Sequence, residues 1–145
     1  MRTYWRKHAV NATVFDQIDT EEVAYALGFI AADGCVNNGI LKVKLARKDR
    51  DHLLKIATAI GAAPVIRDSS HVVRDRTKEE SSLIVCSTRL CEGLARQGVT
   101  PRKSLTLKPW DGPAHLIRHW WRGLVDGDGG MCRSATRRLL YLAGS

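Results

Sequence analysis

The chain writes one helix ending twice. "IAADGCV" at residues 30–36 and "VDGDGGM" at 125–131 each close an apolar run with Asp-Gly, as Asp33-Gly34 and Asp128-Gly129, 95 positions apart. The same offset aligns Gly28 with Gly123, Phe29 with Leu124, Ile30 with Val125 and Ala32 with Gly127. Small residues thus recur at i and i+4 on both segments, a face that lets two helix backbones approach closely. Helices crossing along these faces would bring Asp33 and Asp128 to the same end of the pair. A helix C-terminus already carries partial negative charge and unpaired carbonyls. Two added carboxylates make an oxygen-rich place for a hard divalent cation such as Mg²⁺. One Asp-Gly is an ordinary structural stop; two at one offset, each with the small face, outweigh that reading.

Other metal readings fail on spacing. In an EF-hand started at Asp126, Gly130 would stand where the third Asp or Asn belongs, Met131 would replace the glycine and Arg137 the closing Glu. Cys35, Cys86, Cys91 and Cys132 form no CxxC, so reduced, packed thiols are expected. His115 and His119 lack the intervening Glu of a zinc helix and read as surface or packing residues.

The pattern between the two endings supplies the elements. Residues 1–17 read as a basic arm, with Arg2, Arg6 and Lys7 interleaved with Tyr4 and Trp5. A helix is expected from Thr20 to about Asp33, with Asp19 as N-cap, Glu22 completing a capping box and Ile18 stapled to Val23. "VNNG" reads as a turn. In "ILKVKLAR", Leu41, Val43 and Leu45 alternate with Lys42 and Lys44, which is a strand with one buried and one cationic face. Helices follow over "DRDHLLKIATAIG", ended by Gly61, and "TRLCEGLARQG", ended by Gly98. Between them, strands are expected at Val65–Arg67, near His71–Arg74 and at Leu83–Cys86, with "DRTKEESS" a polar loop. "VTPRKSLTLKPWDGP" reads as a linker holding a short strand at Leu105–Leu107. Another helix, "AHLIRHWWRGLV", leads into the second Asp-Gly, and a hairpin ends in a strand over Leu139–Ala143. The organisation is an arm (1–17), a first repeat (18–112) and the start of a second (113–145). By the 95-residue offset, roughly 60 residues of that second unit are missing, so a further segment or a second polypeptide is expected to complete it.

Charge narrows the partner. The 145 residues carry 23 Lys+Arg against 15 Asp+Glu, a net charge of +8 and a pI near 9.7. That excess suits a polyanion, nucleic acid before membrane. No stretch approaches the ~18 apolar residues of a membrane span, and the N-terminus lacks a signal-peptide core, so a cytoplasmic location is expected. The cations expected to meet such a nucleic acid are Lys42, Lys44, Arg47, Lys48, Arg67, Arg74, Arg76, Arg102, Arg133, Arg137 and Arg138.

"ALGFIAADG" (26–34) and "WRGLVDGDG" (121–129) resemble the two signature helices of the LAGLIDADG homing endonucleases, and "FDQIDTEEVAYALGFIAADGCV" resembles the variety carried by phages and mobile introns. "GVTPRKSLTL" is similar to the segment leading into that family's second helix. The resemblance implies an α+β fold of two pseudo-symmetric αββαββα halves whose sheets form a saddle over the major groove. It also implies that Asp33 and Asp128 hold Mg²⁺ (or Mn²⁺, with Ca²⁺ a non-catalytic substitute), and that Lys103 assists hydrolysis of both strands of duplex DNA. Ala31 departs from the family's acid at the sixth motif position, which Asp126 keeps; that position is not the metal-binding one. The competing class is a non-cleaving binder of the same fold, an intron maturase or a DNA-binding regulator, or an inactive fragment. An intein is disfavoured because no splicing Cys/Ser start or terminal His-Asn is present.

Overall fold

A computed structural model of the chain describes residues 9–63 and 66–142. The expected arm residues Arg2, Tyr4, Trp5, Arg6 and Lys7, the strand start at Val65 and the last strand residue Ala143 lie outside this described part, as does the side chain of Arg133. The described residues form an α+β arrangement in the order α1 (Glu21–Asp33), β1 (Gly34–Asn37), β2 (Ile40–Ala46), α2 (Arg50–Ala59), β3 (Ile66–Val73), β4 (Arg76–Cys86), α3 (Thr88–Arg96), α4 (Ala114–Asp128), β5 (Gly129–Arg133) and β6 (Arg138–Leu142).

Helix α1 starts one residue later than expected. Thr20, not Asp19, is its cap: the hydroxyl accepts the Val23 N–H at 3.3 Å from an extended backbone. Val23 is the third helical residue, within reach of the side chain directly before the helix, and Asp19 sits one place too early. At the other end Gly34 is extended (φ −78°) and its N–H returns to the Ile30 carbonyl. Glycine is needed there for closeness rather than for a left-handed backbone: a Cβ would lie 2.6 Å from that carbonyl oxygen. Gly129 likewise ends α4 in an extended conformation against Val125.

The first sheet is antiparallel throughout, in the order β1-β2-β4-β3. "VNNG" is only half a turn: Val36 and Asn37 belong to β1, and Asn38 and Gly39, both at positive φ, turn the chain. The larger correction concerns residues 66–86. The expected strands and polar loop are two long strands joined at Arg74 and Asp75, both left-handed, and most of "DRTKEESS" lies in β4. That strand is central, paired with β3 over Arg76–Leu83 and with β2 over Glu80–Cys86, and ion pairs and a hydroxyl bond hold its polar part, so no apolar alternation announces it. The strand expected at Leu105–Leu107 is absent; a 3₁₀ turn occupies Lys103–Leu105.

One face of the sheet is apolar and covered. Leu41, Val43, Leu83 and Val85 share a core with Leu53, Ile56, Leu90 and Leu94 of the helices, each worth roughly 1.5–3 kcal/mol of burial. Of the expected alternation in β2, Leu41 and Val43 are buried, Leu45 is half-buried, and Lys42 and Lys44 are exposed on the other face. Cys91 is buried as expected, whereas Cys35 and Cys86 are exposed on the open face rather than packed.

The second hairpin repeats the register of the first without its cover. Gly34 pairs with Val43 and Val36 with Leu41; Gly129 pairs with Leu142 and Met131 with Leu140. Leu140 and Leu142 therefore occupy the places of Leu41 and Val43. The first-hairpin pair is fully buried; Leu140 and Leu142 are 61% and 44% exposed.

Candidate functional site

The two small-faced helices cross as their spacing implies. A Cβ on Gly28 would run into the Trp120 carbonyl, one on Gly123 into the Tyr25 carbonyl, and one on Gly127 into the Ala32 side chain. The contacts advance in the same direction along both helices, so α1 and α4 run parallel and end together. No side chain fits between the backbones at Gly28 and Gly123.

Asp33 and Asp128, the last residues of these helices, are both half-buried. Burial first, and then the Asp128 charge, push the Asp33 carboxyl up to about 6, against the pull of Lys103. Burial also raises Asp128, and Lys103 again opposes it. Lys103 reaches the pair from the 3₁₀ turn and donates from Nζ to the Ala32 carbonyl at 3.3 Å. Asp33, Asp128 and Lys103, 25 positions apart at their closest in sequence, thus form one electrostatic unit. Among the described residues no group of three or more His, Cys, Asp or Glu side chains is placed to hold a metal ion. Two carboxylates beside helix-terminal carbonyls nevertheless suit Mg²⁺, which keeps most of its waters and takes phosphate oxygens as further ligands. Burial raises both carboxyls and the Asp128 charge adds to the rise at Asp33, a stress that a bound cation would relieve.

A second tie across the helix pair had no signal in the sequence. Tyr25 on α1 donates its hydroxyl proton to Asp126 Oδ2 on α4 at 2.6 Å, and the Tyr25 hydroxyl oxygen lies 3.2 Å from His52 Nε2 on α2. Burial, followed by Asp126, raises the Tyr25 phenol, and burial lowers His52. Arg122 lies over the Tyr25 ring at 5.1 Å. Residues 25, 52 and 126 follow no local periodicity, so only the fold unites them. His119, read as a surface or packing residue, is buried on α4 with Nε2 3.4 Å from Glu21, whereas His115 is exposed.

The expected DNA cations divide by location. Because Gly34 pairs with Val43, β2 carries Lys42 and Lys44 past the residue that follows Asp33. Cross-strand register puts Lys42, Lys44, Arg67 and Arg76 on one open face, joined by His71 and Lys78. Arg74 sits in the β3–β4 turn and Lys48 in the 3₁₀ turn after β2, both exposed. Arg47 is differently committed: it donates to Glu79 at 3.1 Å and to the Ser69 carbonyl at 3.0 Å. Arg102 is exposed in a left-handed conformation, and Arg137 and Arg138 are exposed on the second hairpin.

Compared with known proteins, the chain matches no family model and no curated protein.

Proposed function

We propose that the chain is a metal-dependent DNA endonuclease of the LAGLIDADG homing type, with the cleavage centre at the joined ends of α1 and α4. The observation that carries this reading is the parallel, glycine-faced crossing that delivers Asp33 and Asp128 to one place with Lys103 beside them. The order α1-β1-β2-α2-β3-β4-α3, followed by a second helix and hairpin, supports the finer fold assignment, αββαββα plus the start of a pseudo-symmetric half.

Each residue has a distinct task. Asp33 and Asp128 act as ligands rather than general bases, one from each repeat, so that a single chain addresses both strands. Mg²⁺ or Mn²⁺ bound there supplies Lewis acidity and a water of lowered pKa. Lys103 stabilises charge developing on the phosphoryl oxygens or orders the attacking water. The cationic sheet face follows the major groove, where Lys and Arg meet phosphates and guanine edges.

Asp33→Asn and Asp128→Asn test the reading. Each is expected to abolish Mg²⁺-dependent conversion of supercoiled plasmid to linear product while retaining duplex binding by gel shift. EDTA should stop the reaction and added Mg²⁺ restore it. Duplex binding with no metal-dependent cutting, on a plasmid library of randomised sites, would instead place the chain with the non-cleaving binders. Cleavage that survives either substitution would remove the assignment of the carboxylates.

A further inference from the structure

The charged side chains on the open face of the sheet are cationic with one exception. By register it carries residues 35 and 37 of β1, 40, 42, 44 and 46 of β2, 67, 69, 71 and 73 of β3, and the even positions 76–86 of β4. Among these described positions the only carboxylate is Glu80. It lies at the centre of the cations. Lys78 Nζ is 3.0 Å from Oε1, Lys44 Nζ is 3.2 Å from Oε2, and His71 Nδ1 is 3.8 Å from Oε2. The Glu80 side chain is only 8% exposed, whereas Lys44 and Lys78 are 47% and 63% exposed. Lys78 first, and then Lys44, hold its carboxyl below the usual carboxylate range, so it stays charged at neutral pH.

Stability alone gives little reason for this arrangement. Burying a carboxylate costs about as much as its ion pairs return, and an apolar residue of similar size does as well or better. The arrangement has a plain consequence for binding. Two exposed ammonium groups share one fixed negative charge, so the cluster presents one net positive charge where two lysines stand. Lys42 and Lys44 project from the same face of β2, yet among the described residues no ion pair engages Lys42.

We infer that Glu80 is a specificity-determining residue, a built-in counter-charge that weakens sequence-independent phosphate binding by Lys44 and Lys78 and so leaves discrimination to base contacts elsewhere on the face. The inference rests on the sheet being the DNA-binding surface. Non-specific affinity is set by the number of phosphates neutralised, and its logarithm falls with log[salt] by about 0.9 for each. Restraining two lysines therefore lowers binding to arbitrary sequence, and the ratio of specific to non-specific affinity governs target selection.

The test measures binding of a mixed-sequence 30-bp duplex across a salt series for wild type, Lys42→Ala, Glu80→Gln, Lys78→Gln and the double variant Glu80→Gln/Lys78→Gln. Glu80→Gln is expected to steepen the slope by about one and raise affinity near 150 mM salt by about fivefold. Lys78→Gln takes the cluster from one net positive charge to none and is expected to flatten the slope by about one, whereas the double variant, with one net charge again, is expected to match the wild-type slope. Lys42→Ala is expected to flatten the slope by about one, which checks the surface independently. If Lys42→Ala flattens the slope while a folded Glu80→Gln binds as wild type, the inference fails and the binding surface stands. Should Glu80→Gln not fold, Glu80→Gln/Lys78→Gln, which keeps the wild-type net charge, decides: a slope flatter than wild type by about one overturns the counter-charge. No change with Lys42→Ala removes the sheet face as the DNA surface, and the inference with it.

Discussion

Burial and the neighbouring Asp128 hold the Asp33 carboxyl at about 6, and this has a measurable sign. An unfolded Asp titrates near about 3.9, so between the two values the native state holds its proton more tightly than the unfolded state does. Stability in EDTA is therefore greatest below the unfolded value and is lost as pH rises through the native one. Asp33→Asn removes the loss: its melting temperature should exceed that of wild type at pH 7.5, and the difference should vanish toward pH 4. A difference that is the same at both pH values would mean that Asp33 is not strained. At this scale the sequence was legible where chemistry repeats. Asp33 and Asp128 stand out because the 95-residue offset prints them twice. Glu80 and the Tyr25–His52–Asp126 cluster do not repeat, and their partners arrive from different elements, so nothing local marks them.

The helix pair is held by closeness rather than by large side chains, and its elements are correspondingly sensitive. Gly123→Ala places a methyl group against the Tyr25 carbonyl and the Phe29 amide nitrogen, backbone atoms that cannot turn aside. Overpacking of this kind costs typically 1–3 kcal/mol, and Gly123→Leu or Gly28→Leu costs more. Urea denaturation should show that loss. Wild-type stability in Gly123→Leu would mean that the helices do not meet there. Strongly patterned elements could be read directly: α1, α4 and the alternating β2 follow from periods of 3.6 and 2. The outer part of β4 could not, because Lys78, Glu79, Glu80 and Ser81 are held by ion pairs and a hydroxyl bond instead of apolar burial. Polar residues in series look like a loop until the strands on both sides are known. The Asp19-to-Thr20 shift of the α1 cap is a smaller matter, since both residue types can cap and only backbone geometry selects one.

For the molecule as a whole, the contrast between its two hairpins matters most. In the first, Leu41 and Val43 are covered by helices; in the second, Leu139, Leu140, Tyr141 and Leu142 are all exposed. A contiguous apolar strand of this kind favours association. Leu140→Ser/Leu142→Ser should reduce self-association in sedimentation velocity at micromolar concentration while leaving the cooperative melt unchanged. Equal association of wild type and variant would show the hairpin to be inert. Its register was written in the sequence only as a glycine-rich start and an apolar finish, and what covers it was not. The central claim, that one cation site spans both repeats, is tested most directly by amide NMR spectra recorded with substoichiometric Mn²⁺. Relaxation by the metal should broaden Asp33, Gly34, Asp128 and Gly129 together, excess Mg²⁺ should reverse it, and Asp33→Asn should weaken the effect at Gly129 as well. Broadening confined to one helix end, or centred on the Glu80 cluster instead, would contradict the account.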